Sequence, residues 1–79
     1  MNTTKSLSQR RMNSMKAYIG KTYKAIYKGH FMWTVTIKSI MDETGYFITQ
    51  INHGKKTWQS NASYGEITKN LKNGILVEA

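Results

Sequence analysis

The sequence contains neither cysteine nor proline among its 79 residues. The absence of cysteine excludes disulfide bonds, zinc–thiolate sites and cysteine nucleophiles. The absence of proline argues against a proline-rich linker or ligand segment. No apolar run approaches the roughly 20 residues that a bilayer-spanning helix needs, so we expect no transmembrane helix.

Acidic residues are scarce: 4 Asp and Glu stand against 12 Lys and Arg, for a formal net charge of +8. A general acid–base pair built from carboxylates needs two of them to converge in a cleft. Asp42 and Glu43 share a predicted turn, and Glu66 is explained by helix capping, so almost no carboxylate is left for chemistry. The serines lack the nucleophile-elbow pattern, and no glycine-rich phosphate loop occurs. We therefore predict a protein that is not an enzyme and has no catalytic residues.

The two histidines, His30 and His53, fall in predicted turns that are far apart along the chain. A metal site would need a further ligand at suitable spacing, and the sequence does not offer one. We interpret both histidines as solvent-exposed turn residues. We accordingly expect neither a metal ion nor another cofactor.

Residues 1–20 form a basic segment without any acidic residue. No apolar stretch follows the positive charges, which argues against a secretory signal, although organelle transit peptides share the arginine- and serine-rich composition. Met12, Met15 and Ile19 recur at helical spacing and predict a short helix, with a disordered basic arm as the alternative. We expect this segment to add little to stability, residues 21–79 to form one small β-rich domain, and the protein to be cytoplasmic.

Residues 21–61 carry β-branched and aromatic residues between turn signals, which is the pattern of a strand meander. Large apolar side chains occupy the odd positions of the second strand and predict a core face there. To keep the apolar residues of the first two strands on one face, the first loop must hold three residues, 28–30, because a slip of one residue would turn every side chain to the other face. The predicted strands are 22–28, 31–41, 46–52 and 55–60. The aromatic residues predicted for the core are Tyr23, Tyr27, Phe31 and Trp33.

The loops also predict the pairing of the strands. In the second hairpin, turn 42–45 places Met41 opposite Tyr46 and Ser39 opposite Ile48. The facing of Trp58 stays open, because the last hairpin loop can hold two or three residues. The predicted pairs of the first hairpin are Tyr23 with Val35, Ala25 with Trp33 and Tyr27 with Phe31.

Near residue 63, the spacing of apolar residues changes from the alternation typical of a strand to the three- and four-residue spacing typical of a helix. Ser63 and Glu66 fit a capping box, and Asn73 with Gly74 predicts the end of a helix over 64–72. Its apolar face consists of Tyr64, Ile67 and Leu71. The apolar run 75–77 predicts a last strand that closes back onto the sheet.

Two architectures accommodate this order of elements. The first is a mainly β fold, a small five-stranded antiparallel barrel of SH3-like or Sm-like type with a short helix before the last strand. The second is an open α+β sheet with that helix packed across one face. The helix is long for such a barrel. Because barrel closure leaves fewer unpaired edge groups, we slightly prefer the barrel.

The excess of basic residues carries the functional prediction. Lys24, Lys28 and Lys38 fall on the face opposite the predicted core, beside threonines and the ring of Phe47, which this parity exposes. Lysines neutralise phosphates, hydroxyls bond to phosphate oxygens, and an exposed ring stacks on a base. We predict a non-enzymatic DNA- or RNA-binding domain whose affinity is largely electrostatic and sequence-tolerant. Further basic residues extend the predicted site: Lys55, Lys56, Arg10 and Arg11.

A single protein partner is the main alternative, with the chain acting as an inhibitor or adaptor. The lysine- and asparagine-rich usage suits an AT-rich genome, such as that of a phage or another mobile element. If curvature of the sheet buries the predicted anchors, this alternative weakens. A weaker third possibility is attachment of the basic arm to an anionic membrane surface. The predicted anchors lie on the nominally polar face and are Met32, Ile40, Phe47 and Ile51.

Overall fold

The computed structural model of the chain describes residues 12–41 and 45–79. Residues 12–16 are helical and are labelled α1. The elements that follow are β1 (Thr22–Tyr27), β2 (His30–Met41), β3 (Tyr46–His53), β4 (Lys56–Ser63), α2 (Tyr64–Lys72) and β5 (Leu76–Glu78). The prediction of a mainly β fold with a helix before the last strand is confirmed.

The five strands form one open antiparallel sheet in the order β4-β3-β2-β1-β5. Strands β4 and β5 are its edges, and no pairing between them closes a barrel within residues 12–41 and 45–79. The open sheet is the second of the two predicted architectures. Helix α2 packs on one face of this sheet, which we call the core face, and the opposite face is the outer face.

The core is small and draws on both helices as well as the sheet. Met15 of α1 is fully buried, which argues against the expectation that the N-terminal segment adds little to stability. Burial raises the pKa of the Tyr23 hydroxyl, and the nearby Tyr18 and Glu78 raise it further. The buried apolar residues are Met15, Tyr23, Ala25, Val35, Ile37, Phe47, Ile51, Ile67 and Leu76.

The first hairpin combines a tighter turn than predicted with a β-bulge. Lys28 and Gly29 both have positive φ, 51° and 80°, which is the conformation of a two-residue type I′ turn. Ala25 pairs with Trp33 as predicted, but the register then shifts and Tyr27 pairs with His30 instead of Phe31. The extra residue in β2 restores the parity that a two-residue turn alone would have broken.

A second bulge in β2 reverses the alternation of its side chains, so that beyond the bulge the even-numbered residues of β2 face the core. Ile37 pairs with Thr49 and Ser39 with Ile48, so Lys38 is the extra residue between them. The predicted pairing at the 42–45 turn is confirmed, because Ser39 does lie opposite Ile48 and Met41 opposite Tyr46. The predicted facing is wrong, because the bulge turns Phe47 to the core face.

Helix α2 begins and ends where its sequence predicts. The backbone N–H of Glu66 donates to Ser63 Oγ at 3.0 Å, which satisfies one of the unpaired donors of the first turn. Gly74, with φ of 79°, follows the C-cap Asn73. Ile67 is buried, and Tyr64 and Leu71 pack around it, which confirms the predicted face. The chain then enters β5, which pairs with β1.

Candidate nucleic-acid interface

The turns of two hairpins lie at the same end of the sheet, which we call the hairpin end. Consecutive antiparallel strands reverse direction, so the turn between β1 and β2 lies at the same end as the turn between β3 and β4. The hairpin end comprises residues 26–33 and 53–58. Three of the predicted site residues, Lys28, Lys55 and Lys56, lie at this end of the sheet, and all are exposed.

The β1–β2 hairpin projects beyond its neighbours at this end. The first residue of β2 that pairs with β3 is Thr34, and β5 pairs with β1 only as far as Ala25. Within the part of the chain that the structure describes, no strand therefore flanks the hairpin tip. Tyr27 and Phe31 are 59% and 58% exposed, so their predicted place in the core is wrong.

A row of aromatic rings crosses three strands beside this hairpin. The Trp33 and His53 rings meet edge-on with centroids 6.0 Å apart, and His53 meets Trp58 in the same way at 6.5 Å. Trp58 pairs with the buried Ile51 and thus lies on the core face, which settles its facing. It is nevertheless 43% exposed, so its indole can contact a ligand. We call Trp33, His53 and Trp58 the aromatic row.

The lysines of the hairpin end have no described carboxylate near them. Glu78 lies opposite Tyr23, at the far end of β1, and Glu66 lies in the first turn of α2, which follows the far end of β4. Lys28 Nζ instead lies 5.4 Å from the centroid of the Tyr27 ring, within the range of a cation–π contact. The positive charge at the hairpin end is therefore uncompensated by described residues and is interleaved with rings.

The other predicted site residues do not join this cluster. Lys24 lies on the outer face between Thr34 and Val77, and Lys38 occupies the second bulge. Both are exposed. Arg10 and Arg11 lie outside the described residues. The predicted basic face is thus divided between two regions of the sheet.

Phe47, the predicted stacking ring, cannot reach a ligand, because its exposure is 0%. It packs against Tyr18 and Tyr64, with ring centroids 5.9 and 6.3 Å away. The other predicted protein-binding anchors are also withdrawn from solvent. Ile51 is buried, and Met32 and Ile40 are partly buried against the core.

The outer face is polar and holds few charges. Hydroxyl and amide groups bond to one another across its strands, as between Thr22 and Thr36 at 2.9 Å. Asn52 Oδ1 accepts from the Thr57 hydroxyl at 2.8 Å and from the Gln50 amide at 3.4 Å. These bonds occupy groups that could otherwise contact phosphate, so this face is a weaker candidate for the site than the hairpin end.

A cleft of about 210 Å³ lies beside α2 on the core face. Trp33, Ile51 and Ile67 form part of its apolar wall, while Glu66 and Asn70 of α2 lie at its rim. A carboxylate at the rim repels phosphate, so the cleft does not extend the basic surface.

The described residues contain no group of His, Asp and Glu side chains that could hold a metal ion. None of the described helices is long and apolar enough to cross a membrane. The chain matches no protein-family model, no curated protein and no solved structure.

Proposed function

We propose that the chain is a non-enzymatic binding domain for single-stranded nucleic acid and that the hairpin end is its binding site. The observation that carries this proposal is the aromatic row beside three lysines that face no described carboxylate. Lysines attract the phosphate backbone and release its counterions, and exposed rings offer flat surfaces for bases. Neither interaction depends strongly on base identity, so the binding is sequence-tolerant.

The rings favour a single strand over a duplex. Bases in a duplex are stacked on their neighbours, whereas bases of a single strand are free to stack on a protein side chain. Trp58 and the projecting Tyr27 and Phe31 are exposed rings of the hairpin end. A strand that runs across both hairpin tips would meet rings and lysines in turn.

A protein partner is the second candidate, and one observation favours it. Tyr27 and Phe31 stand exposed on a projecting hairpin, where large aromatic residues serve as interface anchors. This candidate differs from nucleic-acid binding in its dependence on salt, since apolar anchoring changes little with ionic strength.

The test is fluorescence anisotropy of short labelled single- and double-stranded oligonucleotides at two salt concentrations. We expect the parent to prefer the single strand and to bind more weakly at the higher salt concentration. Replacing Lys28, Lys55 and Lys56 together with alanine should lower the magnitude of the log affinity against log salt slope by about 2. The matched control replaces Lys16, Lys24 and Lys38, which are also exposed, and removes the same charge.

The control variant should retain most of the parent's salt slope. Equal losses in the two variants would show that net charge, and not the hairpin end, determines binding. Failure of the parent to bind any oligonucleotide at low salt would contradict the proposed function itself and leave the protein partner as the candidate.

A further inference from the structure

Strand β4 is a long edge of the sheet. It pairs with β3 along its whole length, from Lys56 to Ser63, without a bulge, and with no other described strand. Successive pairs of an antiparallel ladder alternate, so every second residue of β4 directs its backbone N–H and C=O away from β3. Among the described strands, none uses these groups.

Beyond Lys56, this edge lacks the devices that prevent strand pairing. Proteins protect their edges with charges, proline, bulges, short strands or a covering element. Residues 57–63 contain neither a charged residue nor a proline. The opposite edge, β5, is only 3 residues long and carries Glu78, whose carboxylate lies 4.0 Å from Lys21 Nζ. The β5 edge is therefore protected against strand pairing, whereas residues 57–63 of the β4 edge are not.

We propose that two copies of this chain associate through β4, antiparallel about a two-fold axis at Ser60, so that the two sheets become one. The net charge of +8 makes two copies repel each other wherever their lysines meet. Residues 57–63 form an uncharged stretch of edge, and so a second copy can approach there without a like-charge contact. A partner of opposite charge would find no charge to pair with.

The register centred on Ser60 gives compatible neighbours on both faces. On the outer face, Gln59 lies opposite the partner's Asn61, and amide side chains can bond across that pair. On the core face, the large Trp58 lies opposite the partner's small Ala62. Lys56 remains outside the shared ladder. Because the strands run in opposite directions, the two hairpin ends point away from each other and stay accessible.

Sedimentation of the parent, without nucleic acid, tests the association. A ladder of this length is smaller than a standard interface, so we expect a monomer–dimer equilibrium with Kd of about 10–100 µM. Gln59→Lys adds a charge at the edge and should weaken the association about tenfold, since the two new lysines would lie diagonally across the two-fold axis, within reach of each other. Gln50→Lys adds the same charge on β3, directly opposite Gln59, and should leave the association within about twofold of the parent.

Cysteine substitution tests the register, because the natural chain contains no cysteine. Ser60→Cys places the two thiols at the axis, within disulfide reach, and should form a covalent dimer under mild oxidation. Thr57→Cys places them about 20 Å apart along the strands and should not. A parent that stays monomeric at about 1 mM, or equal cross-linking of both variants, would overturn the proposal. Both readouts are independent of nucleic-acid binding.

Discussion

The Trp33 indole meets the His53 imidazole edge-on, with an interplanar angle of 69°. The contact lies one residue beyond Thr34 and Asn52, the first pair between β2 and β3 at this end of the sheet. It therefore joins the base of the projecting hairpin to the neighbouring strand through side chains. This contact holds the two rings edge-on at the base of the hairpin.

Loss of an exposed ring from the aromatic row should weaken single-strand binding selectively. We expect Trp58→Leu to cost about 1–3 kcal/mol of single-strand binding free energy, because base stacking is lost, and to change duplex binding little. Anisotropy titrations at fixed salt measure both. Tyr46→Leu removes a ring of similar exposure at the opposite end of the sheet and serves as the control. Equal effects of the two substitutions would contradict the placement of the site.

The two phenylalanines allow one substitution to be compared in opposite environments. Phe47→Leu should lower the free energy of unfolding by about 1–3 kcal/mol, since a buried ring is lost, and leave oligonucleotide affinity unchanged. Phe31→Leu should instead lower oligonucleotide affinity and leave the free energy of unfolding nearly unchanged, because Phe31 is exposed on the hairpin end. Urea denaturation and anisotropy measure the two quantities. Reduced affinity of a folded Phe47→Leu protein would argue for a ligand at the core.

Met15 should make the N-terminal segment important for stability. Met15→Ala leaves a cavity in the core and should cost about 2–5 kcal/mol. For a domain of this size, roughly 4–8 °C of Tm corresponds to 1 kcal/mol, so thermal denaturation should detect a fall above about 10 °C. Ile19→Ala, at a side chain that is 42% exposed, should cost much less. An unchanged Tm in Met15→Ala would show that α1 is not docked.

The turn of the first hairpin should become more stable with a better-suited residue at position 28. Lys28 has a φ of 51°, a conformation that asparagine adopts more readily than lysine. We expect Lys28→Asn to raise the free energy of unfolding by about 0.5–1 kcal/mol and Lys28→Val to lower it. Both substitutions remove the same charge and should reduce oligonucleotide affinity alike, which separates turn stability from binding.

Stability should fall at alkaline pH partly because of Tyr23. An unfolded tyrosine ionises near pH 10, and burial raises the pKa of Tyr23 in the folded state. The unfolded chain therefore releases this proton first, and the stabilisation present below about pH 10 is lost as pH rises towards the folded-state pKa. Denaturation between about pH 9 and 11 should show a shallower decline in Tyr23→Phe than in the parent. Tyr27→Phe, at an exposed ring, should follow the parent.

Local signals in the sequence predict the parts of the fold that depend on neighbouring residues. The cap at Ser63, the end of α2 at Gly74 and the pairing of Met41 with Tyr46 all follow from side chains within one turn of the chain. The bulge at Lys38 has no such signal, because an extra residue in a strand needs no particular side chain. The facings predicted for β3, including that of Phe47, are therefore inverted.

The candidate site was only partly predictable for a similar reason. Lysines beside turn residues can be recognised in the sequence, and on this basis Lys28, Lys55 and Lys56 are predicted as binding residues. The exposure of Tyr27 depends on how far one hairpin extends past the next, which follows from the relative lengths of strands. No pattern within β1 or β2 encodes that length difference.

The projecting hairpin has a consequence for local opening of the chain. Its tip is held by the β1–β2 ladder alone among the described strands, so its backbone amides should exchange with solvent through openings that leave the core folded. Such a segment can adjust its shape to a ligand at little cost in global stability. For the same reason, residues 27–31 are where new side chains can be introduced without repacking the interior, which makes the tip a suitable place to alter ligand preference by design.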